Sequence, residues 1–145
     1  MDFILANLPR FLEGAWMTIQ LALFSCSCGL LMALPVALAR LSRKRLLSSA
    51  ATGYVFFFRG TPLLAQIFLI YYGSGQFRHE LGALGLWTFF RDPWFCALLS
   101  LTLNTAAYSS EILRGAIQAI PKGEIEAAKA LGLNRYLLLR LVVLP

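Results

Sequence analysis

The chain has 145 residues, 59% of them apolar and 14% charged, with a net charge of +6 and a mean hydropathy of +0.69. Soluble domains carry about 25% charged residues, so this composition excludes an ordinary soluble globule. The basic excess alone would also fit a nucleic-acid partner, and the placement of the charges decides against one.

The leader MDFILANLPRFLEG reads as a short amphipathic lead-in that ends near Glu13. It holds Asp2 and Glu13 and lacks a basic opening. The apolar run behind it is too long for a signal-peptide core, so an uncleaved span is expected. Residues 14–39 carry no charge over 26 positions, and about 20 apolar residues suffice to cross a bilayer. A first transmembrane helix is therefore expected at 14–39. Pro35 lies inside it and is expected to kink it, a break that neighbouring helices tolerate in a membrane. Cys26, Cys28 and Cys96 all sit in apolar runs. They read as small membrane-buried side chains rather than a disulfide or metal set.

The next stretch, RLSRKR, holds Arg40, Arg43, Lys44 and Arg45 and no acid. Residues 46–58, LLSSAATGYVFFF, are apolar but too short to span. They read as an interfacial or re-entrant helix, or as an early extension of the second span. Then comes Arg59-Gly60-Thr61-Pro62. Thr61 is suited to cap a helix and Pro62 to open it, so a second span is expected at 61–77. Gly60 marks a break that lets Arg59 lie near the headgroups, either as a snorkelling anchor or as an internal contact that holds the break. Gln66 is a polar residue inside this span.

The following loop balances Arg78 and Arg91 against Glu80 and Asp92 and holds the one histidine, His79, read as a solvated loop residue. Asp92-Pro93 repeats the cap-and-proline start, and a third span is expected at 93–112. At 100° per residue Ser100, Asn104, Tyr108 and Glu111 share one arc of that helix. Glu111 is the single acid of an apolar run, and such an acid is a functional candidate by default. The alternative is a polar seam that bonds neighbouring helices.

Basic residues thus favour alternate loops: RLSRKR, and the C-terminal part with Arg114, Lys122, Lys129, Arg135 and Arg140 against Glu124 and Glu126. By the positive-inside rule the N-terminus lies outside, and RLSRKR and residues 113–145 lie in the cytoplasm. The basic excess is then topology rather than a nucleic-acid footprint, with anionic lipid a weaker reading.

The stretch PKGEIEAAKALGL, residues 121–133, is polar in a greasy chain. Pro121 favours a helix start, Glu124 and Glu126 suit the first turn, Glu126 can pair with Lys129, and Gly132 is a natural stop. Such a helix is too short to cross a membrane. Ile125, Ala128 and Leu131 form a narrow apolar strip beside small alanines. Physics leaves two options open, docking in a partner's groove or resting on the membrane surface.

GEIEAAKALGLNRYLLLRLVVLP resembles the EAA loop of the membrane subunits of bacterial ABC importers, through Glu126, Ala127, Ala128, Gly132, Leu144 and Pro145. RGTPLLAQIFLIYYG (59–73) and NTAAYSSEILRGAIQAIPKGEIEAAKALG (104–132) are similar to the polar amino-acid permeases of the histidine, glutamine, arginine and opine group. The outer loop GQF…LW…PWFCALLSLTLN looks most like the M-type subunits for arginine, histidine or opines. The resemblance implies an all-α membrane protein, with three spans of a normally five-helix type I importer fold and a short cytoplasmic coupling helix, in the bacterial inner membrane. It implies that Gly123 to Gly132 dock on a separate ATPase, chiefly through Gly123, Glu126, Ala127, Ala128, Leu131 and Gly132. It also implies a second, identical or different permease subunit, an ATPase pair and a periplasmic solute-binding protein, with no cofactor and no metal.

Gln66, Asn104, Tyr108 and Glu111 are expected on the substrate path or its gate, and Arg59, Gly60, Thr61 and Pro62 as a structural motif. A basic amino acid would suit Glu111, although the wider family has an acid there for neutral substrates too. Family members run on past the closing Leu-Pro, so a chain ending at Pro145 is expected to be C-terminally truncated. There is no ATP-binding glycine loop and no catalytic constellation, so an enzyme is not expected. The rival reading is a non-transporting membrane anchor or assembly fragment.

Overall fold

The computed structural model describes residues 2–138, 140 and 141. Among them every regular element is helical: α1 (Asp2–Arg40), α2 (Arg45–Gly60), α3 (Leu63–Gln76), α4 (Arg78–Ala83), α5 (Trp87–Phe90), α6 (Pro93–Ala119), α7 (Lys122–Ala130) and α8 (Arg135–Leu138). The amphipathic lead-in is not a separate element. It forms the first turns of α1, and that helix runs on through Pro9 and Pro35 as one piece of 39 residues, about 58 Å at 1.5 Å per residue.

Residues 7–40 of α1 are long and apolar enough to cross a membrane, and α2 and α3 qualify only as a pair, joined at a bend of 107°. The 46–58 stretch is therefore a helix of its own in front of the break. The expected third span corresponds to the first part of α6, which has the length but carries Asn104 and Glu111 within it.

The α1–α6 pair forms the centre of the bundle, with α3 packed on α6 and α2 packed on both. Its core is built from small residues. Ala33, Ala37, Cys96, Ala106 and Ala107 are buried, as are Ser25, Ser100, Thr102 and Ser110. Ser25, Gly29, Ala33 and Ala37 recur every four residues and so form one face of α1. A Cβ placed on Gly29 would lie 2.7 Å from Cβ of Thr105 and 3.2 Å from the Thr102 carbonyl of α6, so the two backbones meet there with no room for a side chain. Small residues permit this approach in apolar surroundings.

The buried serine hydroxyls of this core bond within their own helices: Ser25 to the Ala22 carbonyl (3.2 Å), Ser100 to Cys96 (2.7 Å) and Ser110 to Ala107 (2.8 Å). The large apolar side chains turn outward, among them Phe11, Trp16, Leu31, Phe56, Leu64 and Ile112. A soluble domain puts large apolar groups inside; this chain has the opposite arrangement, as suits a lipid exterior.

Two helix starts bear on the sequence expectations. Asp92 caps α6, its carboxylate accepting from the Trp94 amide at 3.0 Å with Pro93 behind it. Thr61 does not cap α3: Pro62 takes the capping position, one residue later than expected. The Thr61 hydroxyl instead donates back to the Phe57 carbonyl of α2 at 2.8 Å.

Candidate functional site: the broken helix and the arginine–carboxylate cluster

Breaking a helix leaves its last carbonyls without amide partners, and Pro62 has no N–H to offer. At the α2–α3 bend, side chains fill that gap. The Gln66 amide nitrogen reaches the carbonyls of Phe58 (2.8 Å) and Thr61 (3.1 Å) and the Thr61 hydroxyl (2.7 Å). The Asn104 amide nitrogen donates to the Phe58 carbonyl (3.3 Å) and to Oε1 of Gln66 (3.2 Å). Gln66 is only 2% exposed. Arg59-Gly60-Thr61-Pro62 is thus a true break, sewn shut by one amide from α3 and one from α6. Tyr54 adds a further tie, its hydroxyl donating to the Leu103 carbonyl at 2.6 Å.

Further along α6, Glu111 collects three guanidinium groups. Arg40 bonds one carboxylate oxygen, and Arg114 bonds the other through Nη2 and, at 3.2 Å, through Nε. Arg59 stands 3.6 Å from the oxygen that Arg40 holds. Its guanidinium also lies over the Tyr108 ring, 5.3 Å from the centroid. Charge-assisted hydrogen bonds are stronger than neutral ones, and here one fastens the end of α1 to α6, while Arg59 of α2 is held by charge and by the Tyr108 ring. A cleft of about 360 Å³ opens beside the cluster, bounded by Arg40, Val55, Phe56, Arg59, Tyr108 and Glu111.

The four residues expected on one path therefore divide. Gln66 and Asn104 meet at the break, whereas Tyr108 and Glu111 border the cleft with Arg59. Arg40 was not singled out from sequence. A signal was there: Arg40, Arg59 and Glu111 are each the charge that bounds an uncharged run (14–39, 60–77 and 93–110), all at ends assigned to one side of the membrane.

The polar helix is α7, nine residues with Pro121 at its N-cap. It ends in two bonds, Gly132 amide to Lys129 carbonyl (2.9 Å) and Leu133 amide to Ala128 carbonyl (3.1 Å), with Gly132 at φ +76°. This is a Schellman ending, whose left-handed residue favours glycine. Gly123, Glu126 and Ala127 are exposed, Ala128 is buried, and Leu131 is 81% exposed. The expected Glu126–Lys129 ion pair does not form among the described residues. Leu144 and Pro145 of the motif lie outside the described residues. Among the described residues no group of three or more His, Cys, Asp or Glu side chains could hold a metal, and Cys26, Cys28 and Cys96 are free thiols.

Residues 26–145 match the family described as binding-protein-dependent transport system inner membrane component. The chain is 52% identical over 144 residues to the nopaline transport system permease protein NocM of Agrobacterium fabrum, covering 99% of this chain and 60% of that protein. It is 47% identical over 146 residues to the octopine transport system permease protein OccM of Rhizobium meliloti, covering 99% and 58%. It is 51% identical over 83 residues to the arginine ABC transporter permease protein ArtM of Escherichia coli, covering 57% and 37%. A crystal structure of an amino acid ABC transporter with histidines superposes with a TM-score of 0.76 at 35% identity, over 98% of this chain and 62% of that one. The chain therefore spans about 60% of the length of the first two relatives. By its family match, its relatives and its fold, the chain belongs to the binding-protein-dependent transport system inner membrane components.

Proposed function

We propose that the chain is the coupling-bearing part of the permease subunit of an ATP-driven importer for a polar, basic amino acid or an opine, arginine, histidine, lysine and ornithine being the amino acids in view. The substrate class rests on relatives named for nopaline, octopine and arginine. A periplasmic binding protein delivers the solute, a second permease subunit completes the pathway, and a pair of ATPase subunits drives it. The N-terminus faces out; RLSRKR and α7 face the cytoplasm. ATP binding closes the ATPase pair, α7 moves with it, and the spans open outward to accept substrate. Hydrolysis resets them.

The observation that carries this reading is α7 itself. It is a short charged helix with a glycine-closed end. Its main neighbour is the small α8 rather than the bundle. Gly123, Glu126, Ala127 and Leu131 remain exposed for a partner's groove, with Ala128 and Gly132 shaping the helix and its stop. Tyr108 and Glu111 border the pathway on this reading, with Gln66 and Asn104 holding the break beside it.

The test uses the full-length permease assembled with its partners in proteoliposomes. Glu126→Ala and Gly132→Leu are each expected to leave membrane insertion intact while separating ATP hydrolysis from uptake of labelled arginine. Uptake at the unaltered ratio to hydrolysis in both variants would sink the coupling role and favour a helix that merely rests on lipid. Parallel uptake of labelled histidine and glutamine reads the substrate class.

A further inference from the structure

The cluster around Glu111 is unbalanced. Arg40, Arg59 and Arg114 bring three positive charges to one carboxylate, and Glu111 is the single acid bordering the cleft. Arg40 and Arg114 spend donors on Glu111, and Arg114 also bonds Gln118. Arg59 differs. Its nearest approach to the carboxylate, 3.6 Å, is beyond hydrogen-bonding distance, and its side chain is 42% exposed.

Tyr108 holds the Arg59 guanidinium in place through its ring face, so the planar fork is set beside the cleft with its donors open. A guanidinium fork matches two oxygens of a phosphate group at once. Val55 and Phe56 give the cleft an apolar side, and Phe56 is exposed. Basic pockets between spans with apolar flanks take phosphate headgroups.

We propose that the cleft between the ends of α1, α2 and α6 is a binding site for a phosphate group, with Arg59 as its forked donor and Tyr108 as the residue that positions it. A phospholipid headgroup and free phosphate share this chemistry, and the apolar side favours the lipid. The cleft shares Tyr108 and Glu111 with the pathway border proposed above and includes no residue of α7.

Binding is measured on the full-length permease complex in phosphatidylcholine nanodiscs, by native mass spectrometry during titration with short-chain phosphatidylglycerol, in the presence and absence of inorganic phosphate. Arg59→Gln is expected to weaken phosphatidylglycerol binding by about tenfold, the worth of one strong charge-assisted contact. Arg59→Lys keeps the charge without the fork, and Tyr108→Leu keeps the arginine without its support; each is expected to weaken binding several-fold. Arg45→Gln, at the start of α2, is expected to leave it unchanged. Phosphate that displaces the lipid and loses affinity with the same variants assigns the site to free phosphate, whereas phosphate that does not compete assigns it to the lipid.

Equal binding by the parent and all three cleft variants would overturn the proposal. So would an equal loss in Arg45→Gln, which marks diffuse attraction to the basic face. Should Arg59→Gln fail to assemble, Arg59→Lys and Tyr108→Leu decide the question. No transport is read, so a failed site and a failed import function remain distinguishable.

Discussion

Gln66 makes four side-chain hydrogen bonds at the break. One buried side chain answers two backbone carbonyls and a hydroxyl, and receives Asn104 in return. Gln66→Leu keeps the volume but strands those acceptors, and stranding a buried polar group costs about 1–3 kcal/mol. The expected outcome is a lower unfolding midpoint in detergent. A midpoint within error of the parent would mean that water or lipid headgroups satisfy the break. Glu111 has a different role, since it neutralises cations instead of satisfying a backbone. Glu111→Ala leaves three guanidinium groups facing one another and is expected to destabilise the bundle. Adding Arg40→Ala should return part of the loss, with a coupling of about 0.5–3 kcal/mol in the double-mutant cycle. Strict additivity would show that Arg40 and Glu111 do not depend on each other.

Among the helices, α1 and α6 are held by closeness. Gly29 sits where any Cβ collides with Thr105, so Gly29→Leu must push the two helices apart. Overpacking of this kind costs about 1–3 kcal/mol, and denaturant titration of the detergent-solubilised chain should show it. Leu at Gly53, where an added Cβ meets nothing within 4 Å, is the matched control and should cost far less. Local chemistry made some element ends legible in the sequence. Asp92-Pro93 announced the start of α6, and Gly132 announced the end of α7, because a cap and a left-handed turn each need a specific residue type. The bend between α2 and α3 was legible as a break but not as an angle. Its geometry depends on Asn104, 38 residues from Gln66, and no local pattern reports such a meeting. The lead-in escaped for another reason: Glu13 bounds the uncharged run, yet a single charge does not end a helix, and α1 runs through it.

At the scale of the whole molecule, the orientation proposed above rests on the placement of basic residues. In a background with Cys26, Cys28 and Cys96 replaced by alanine, Ser42→Cys is expected to react with a membrane-impermeant maleimide only after the membrane is opened. His79→Cys is expected to react from outside in intact cells lacking an outer-membrane barrier. The reverse pattern would invert the orientation and move α7 away from any cytoplasmic ATPase. The all-helical class and the family were readable along nearly the whole chain. The convergence of Arg40, Arg59 and Arg114 on Glu111 was not, because it links the ends of three helices that only packing brings together.

The hydroxyls buried between α1 and α6 have a consequence for the order of assembly. Ser25 bonds the Ala22 carbonyl of its own helix, so the hydroxyl that α1 buries against α6 needs no partner from α6. Synthesis of residues 41–92 takes about 3–10 s at ordinary ribosome speeds. During that interval α1 can wait in lipid as a finished helix, with the seat for α6 already formed. A chain stopped at Asp92 is expected to resist alkaline extraction as well as the longer chain does, and its release from the membrane would show that α6 is needed to hold α1 there.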